Sequence, residues 1–102
     1  MEKSKYKRVL LKLSGESLMG DKEFGIQPSV LQYFATEVNK ISNLGAQIAI
    51  VIGGGNIYRG VAESTDGIDK VTGDYMGMLA TVINAMALQN ALEKQGMHTR
   101  LL

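Results

Sequence analysis

An aliphatic run at residues 47–52 empties directly into Gly53, Gly54 and Gly55, followed by Asn56, Ile57, Tyr58, Arg59 and Gly60. The run is rich in Ile and Val and bounded by Gly45 and the glycines, which reads as a buried strand. A strand that ends in residues without side chains leaves backbone N–H groups open to close approach by an anion. Arg59, four residues past the last glycine, adds a planar fork of donors suited to phosphate. The same glycines also make a tight turn with no ligand, and Arg59 also suits a surface ion pair, so the neighbouring segments carry the decision.

Residues 7–13, rich in Val and Leu and ending at Ser14 and Gly15, predict a first short strand, followed by a loop to about Gln27. Pro28 suits a first helical position, Leu31, Phe34, Val38 and Ile41 recur at three- and four-residue spacing, and Gly45 serves as the stop. A second, unusually apolar helix is expected from about 73 to 95, with Met76, Leu79, Ile83 and Met86 on one stripe and Gly96 ending it. Residues 97–102 then read as the start of a third strand, where the series is cut off. Alternating strands and helices require right-handed crossovers and parallel pairing. The expected fold class is therefore α/β, an open parallel sheet with helices on both faces, with residues 1–102 the N-terminal part of one domain.

Composition narrows the function classes. Lys and Arg number 11 against 10 Asp and Glu, a net charge of +1 that leaves no broad basic surface for nucleic acid or an anionic membrane. The absence of cysteine removes disulfide and thiolate chemistry and fits a reducing compartment, so a cytoplasmic location is expected. The apolar run after the basic N-terminus is only Val9, Leu10 and Leu11, too short for an export signal. Residues 75–92 lack charge, but Thr81, Asn84, Gln89 and Asn90 argue for a helix buried between protein surfaces rather than one in lipid.

Two familiar phosphate fingerprints fail. Gly15 and Gly20 have P-loop glycine spacing, but Asp21, Lys22 and Glu23 follow in place of Gly-Lys-Ser/Thr. Gly53 and Gly55 open a dinucleotide pattern that Tyr58 breaks at its third glycine. A different constellation remains. In a parallel sheet both strands present their C-terminal ends on one edge, which brings Lys12, Ser14 and Gly15 toward the glycine run. A lysine there neutralises charge on a transferring phosphoryl group, although a strand-end lysine reaching solvent gives the same pattern. Asp74 is an acceptor suited to ribose hydroxyls or, equally, a helix-capping carboxylate. His98, the one histidine, has no cysteine or carboxylate cluster beside it and reads as structural, and the methionines read as core or interface filling.

Three segments carry a family resemblance: Lys12-Leu13-Ser14-Gly15-Glu16, the glycine run through Gly60, and Gly73-Asp74-Tyr75-Met76-Gly77-Met78-Leu79-Ala80-Thr81. Together, in this order, they resemble the bacterial uridylate kinases of the amino acid kinase superfamily. Ser14 and Ile52 depart from the wider superfamily's loops toward the uridylate kinase version. The resemblance implies transfer of the γ-phosphoryl group of ATP to UMP with Mg2+. It matches Lys12, Leu13, Ser14, Gly15, Gly55 and Arg59 to ATP contacts, with Lys12 and Arg59 as catalytic groups, and Gly54 and Asp74 to UMP contacts. It also matches Gly20, Asp21, Lys22, Glu23, Phe24 and Gly25 to a segment tied to activation by GTP, and it implies inhibition by UTP and a homohexamer. The groups that serve the UMP base, the adenine and the metal are expected in sequence beyond this chain, so no metal ligand is assigned here.

Three other readings stay open. A nucleotide-binding or sensory module would keep the glycine turns without chemistry. Another member of the superfamily would act on a carboxylate or carbamate. A structural fragment would self-associate through the apolar helix and bind no nucleotide.

Overall fold

Along the first strand every second side chain turns inward: Val9, Leu11 and Leu13 are partly buried, whereas Arg8, Leu10 and Lys12 are exposed. The second strand repeats the alternation, with Ile48, Ile50 and Ile52 inward. In the computed structural model, which describes residues 5–58 and 67–102, these become β1 (Arg8–Leu13) and β2 (Gln47–Ile52). Between them lie a 3-10 turn (Gly15–Leu18) and helix α1 (Pro28–Asn43), and after them helix α2 (Lys70–Lys94). The strands pair in parallel, from Arg8 opposite Gln47 to Leu13 opposite Ile52, as the strand–helix–strand order requires.

Local signals account for the boundaries. Pro28 opens α1, and Gly45, at φ +100°, turns the chain out of its last turn. Asp69 caps α2 by accepting from the Thr72 N–H at 2.9 Å. At the other end the Gly96 N–H donates to the Glu93 carbonyl and the Met97 N–H to the Leu92 carbonyl, with Gly96 at φ +87°. This paired arrangement satisfies carbonyls that the helix end would otherwise leave open. No strand forms over residues 97–102, in contrast to the expectation. The segment has the apolar character of a strand, but pairing makes a strand, and among the described residues β1 and β2 pair only with each other. Met97 instead packs on the core, and the Thr99 hydroxyl donates to Glu93 at 2.7 Å.

Both helices lie over the same face of the sheet. Leu18, Ala35, Val38, Ile52, Leu88, Ala91 and Leu92 form the core between the layers, with Leu11, Leu13, Phe34, Ile48 and Ile50 packed against it. Burying each large aliphatic side chain there is worth about 1.5–3 kcal/mol. The opposite face, with Leu10, Ala49 and Val51, has no helix over it among the described residues.

The stripe expected to define α2 faces outward. Met76, Leu79, Ile83 and Met86 are exposed, and the inner stripe is Gly73, Ala80, Asn84, Leu88, Ala91 and Leu92. Where α2 crosses beneath the glycine turn, the inner residues are Ala80 and Asn84 rather than large apolar ones. Among the described residues no helix is long and apolar enough to cross a membrane.

Candidate phosphate-handling site

Parallel pairing carries the ends of β1 and β2 to one edge. The last ladder bond runs from the Gly53 N–H to the Leu13 carbonyl at 3.0 Å, and both chains then leave the sheet together. Ser14 remains extended (φ −78°, ψ 150°) before the 3-10 turn, and its hydroxyl shares a 2.8 Å hydrogen bond with the Ser17 hydroxyl. Gly15 is buried against the second loop. A Cβ on it would stand 2.6 Å from Asn56 Oδ1, 2.7 Å from the Gly55 nitrogen and 2.9 Å from the Gly53 carbonyl. The two loops therefore meet backbone to backbone, as the parallel order predicts.

The three glycines of the turn have unequal duties. A Cβ at Gly53 would make only ordinary contact, 3.4 Å from the Gly15 nitrogen. Gly54 is buried on α2, where a Cβ would fall 2.7 Å from the Ala80 Cβ and 2.9 Å from the Thr81 nitrogen. At Gly55 a Cβ would overlap the Glu16 carboxylate. After the glycines, the Ile57 and Tyr58 N–H groups both donate to the Gly54 carbonyl at 2.9 Å and close the turn.

Two side chains that the sequence reading did not place at this site hold the arrangement together. Asn56 and Asn84, 2% and 0% exposed, form a reciprocal amide pair. Asn84 Nδ2 donates to Asn56 Oδ1 at 2.6 Å, and Asn56 Nδ2 donates to Asn84 Oδ1 at 3.1 Å. The remaining N–H of Asn84 reaches the Gly53 carbonyl at 2.8 Å, and that of Asn56 reaches the Gly25 carbonyl at 2.9 Å. All four side-chain N–H donors are thus used inside the protein. Removing either amide would strand its partner at a cost of about 1–3 kcal/mol. The hydrogen-bonding capacity of the Asn84 amide is thus spent within the chain. The detectable signal was an amide in line with Gly73, Ala80 and Leu88, within the charge-free stretch at residues 75–92.

The other candidate residues take varied positions. Lys12 is exposed, one residue before the end of β1 and opposite Val51. Leu13 contributes its carbonyl to the ladder and its side chain to the core. Asp74 lies in the second turn of α2, ion-paired with Lys70 at 2.9 Å, and the helix cap is Asp69. Thr72 holds the Asp69 carboxyl below its usual range, first through its side chain and then through its backbone N–H. Arg59 lies outside the described residues. Gly20 and Gly25, at φ +59° and +84°, bracket a loop on which Asp21, Lys22, Glu23 and Phe24 are exposed. That loop is tied to the glycine turn, because the Gly25 N–H donates to the Asn56 carbonyl at 2.8 Å.

The site is an open sheet edge. A depression of about 400 Å3 lies elsewhere, between α1 and α2, lined by residues such as Leu31, Thr36, Ala91 and Gln95. Two glycine-bearing loops that touch backbone to backbone at an open edge, with Lys12 one residue from the end of β1, suit an extended polyanion better than an apolar ligand.

Residues 7–102 match the amino acid kinase family. The chain is 57% identical over 102 residues to proteins named uridylate kinase from Xanthomonas axonopodis pv. citri and Xanthomonas campestris pv. campestris. All of the chain is matched, and it spans 42% of the length of each of these relatives. Among solved structures, UMP kinase from Bacillus anthracis superposes with a TM-score of 0.80 at 43% identity, over 87% of this chain and 36% of that one. UMP kinase from Ureaplasma parvum does so with a TM-score of 0.81 at 36% identity, over 91% of this chain and 41% of that one.

Proposed function

The chain belongs to the amino acid kinase family, and on that footing we propose that it supplies the phosphate-handling part of a uridylate kinase, which transfers the γ-phosphoryl group of ATP to UMP. The observation that carries the reading is the junction of Ser14 and Gly15 with residues 53–56 at one sheet edge, next to Lys12. The uridylate kinase name of relatives at 57% identity supports it.

In this reading an oxygen of the UMP phosphate attacks the γ-phosphorus of ATP, the new P–O bond forms, and the bond to the β-phosphate bridging oxygen breaks to release ADP. The attacking oxygen is already anionic, so no general base is required. Lys12 and Arg59 offset the charge on the transferring group, and Ser14 and Gly15 supply close donors to ATP, beside Leu13 and Gly55. Gly54 and Asp74 serve UMP, with Asp74 accepting from ribose hydroxyls. Mg2+ accompanies the nucleotide. Among the described residues no three His, Cys, Asp or Glu side chains gather, and no step is assigned through a metal ion.

The further elements of the proposal are a cytoplasmic enzyme, a homo-oligomer up to a hexamer, activation by GTP through residues 20–25, and inhibition by UTP. Exposed apolar residues along the outer stripe of α2, among them Leu79 and Met86, support assembly of copies. A coupled assay of ADP release by the protein at its full natural length tests the substrate. UMP should be the preferred acceptor. Use of acetylglutamate, aspartate or carbamate with UMP untouched would contradict the reading, as would equal use of CMP. Binding of ATP with no transfer to any acceptor would identify a sensory module instead.

A further inference from the structure

The glycine turn is a short loop resting on a helix, and phosphoryl transfer depends on holding such groups in place, since a misplacement of about 1 Å can cost about 10²-fold in rate. Its backbone contributes the closing bonds to the Gly54 carbonyl and the ladder bond to Leu13. Lateral position is set by something else. Asn84, in the fourth turn of α2, grips the Gly53 carbonyl, and its partner Asn56 sits in the turn itself. Asn56 also joins residues 20–25 to the turn from both sides of the peptide, through its side chain to the Gly25 carbonyl and its carbonyl from the Gly25 N–H. Three segments thereby converge on one amide pair: the glycine turn, α2 and the 20–25 loop.

We propose that Asn56 and Asn84 are positioning residues for phosphoryl transfer, their amide pair fixing residues 53–55 on α2 and making the 20–25 loop one mechanical unit with them. This rests on the proposed kinase function. An apolar pair of similar volume would fill the same space, so burial alone gives no reason for amides here. What amides add are the two outward N–H groups that reach Gly53 and Gly25, one for each loop. A displacement of residues 20–25 is therefore transmitted to the turn through Asn56 rather than absorbed between them.

The test compares Asn84→Asp and the double variant Asn56→Leu/Asn84→Leu with Val38→Ala, a core substitution away from the turn, all in the protein at its full natural length. Replacing both amides with apolar side chains strands neither member of the pair and leaves only the Gly53 and Gly25 carbonyls without their donors, so the double variant keeps the test informative if Asn84→Asp does not fold. Amide hydrogen exchange is measured at Gly25, Ile57 and Tyr58, and at Leu11 and Ile50 in the strands. In the amide variants exchange at the first three should quicken at least about 10-fold with the strands unchanged, whereas Val38→Ala should show no such selectivity. Turnover, measured well below each melting temperature, should fall about 10- to 100-fold with KM for ATP and for UMP within about twofold. Unchanged protection at Gly25 and Ile57, or loosening spread evenly over the chain, overturns the proposal, and so does full turnover despite selective loosening. If the wild-type protein transfers no phosphoryl group to UMP, the kinase reading has failed, and the catalytic role assigned to the pair falls with it. The exchange result then still decides whether the pair fixes the turn.

Discussion

Alanine at Gly54 should unseat the glycine turn from α2, whereas alanine at the adjacent Gly53 should be tolerated. A Cβ at Gly54 would lie 2.7 Å from the Ala80 Cβ, 2.9 Å from the Thr81 nitrogen and 3.0 Å from the Ala80 carbonyl carbon. Carbon atoms pack at about 3.5–4.0 Å, so the turn must rise by about 1 Å. Two of the three obstructing atoms belong to helix backbone and cannot rotate away. Overpacking of this kind costs about 1–3 kcal/mol, and the rigid neighbours put Gly54→Ala in the upper half of that range. At Gly53 the nearest atom would be 3.4 Å away, which predicts a change within about 0.5 kcal/mol. Chemical denaturation of both variants measures the difference directly. Adding Ala80→Gly should recover part of the Gly54→Ala loss, since it removes the Cβ contact but leaves the Thr81 nitrogen in place. Equal stability of Gly53→Ala and Gly54→Ala would refute the seating of the turn on α2.

Lys12→Ala and Arg59→Ala should each lower turnover by about 10²- to 10³-fold with the fold intact, and near-normal rates in both would contradict a shared phosphate site. The lowered Asp69 carboxyl makes its cap an acid-sensitive contribution: present above the ordinary Asp range, it is lost as pH falls through the lowered value, because the unfolded chain binds that proton first. Asp69→Asn should keep the cap and flatten that part of the stability–pH profile, as denaturation at a series of acid pH values would show. Leu79→Lys, at a position 63% exposed on the outer stripe of α2, should dissociate an oligomer without unfolding it, and unchanged sedimentation would remove that stripe from the interface.

Much of the fold was legible because local chemistry and tertiary structure agree in it. Pro28, Gly45 and Gly96 stand where helices begin or end, whereas the one-sided cover of β1 and β2 was not legible, because both strands carry apolar residues on the two faces. The meeting of Ser14 and Gly15 with the glycine turn followed from parallel order alone. The inner face of α2 did not, because large apolar residues dominate any reading of periodicity while close approach selects Gly, Ala and Asn. The start of that helix lay three residues earlier than its apolar pattern, at a cap of Asp69 on Thr72. No spacing rule marks Asn56 and Asn84 as partners across 28 residues, since their pairing exists only once the turn rests on the helix. Residues 97–102 misled for the opposite reason: composition favours a strand, but a ladder neighbour decides it.

Glycine-selective 15N labelling of the protein at its full natural length, titrated with ATP and then with UMP, tests the central claim most directly. The amide signals of Gly15 and Gly55 should move on adding ATP and that of Gly54 on adding UMP, while Gly45 and Gly96, at the helix ends, stay in place. Nucleotide binding that leaves Gly15, Gly54 and Gly55 unmoved would contradict the account.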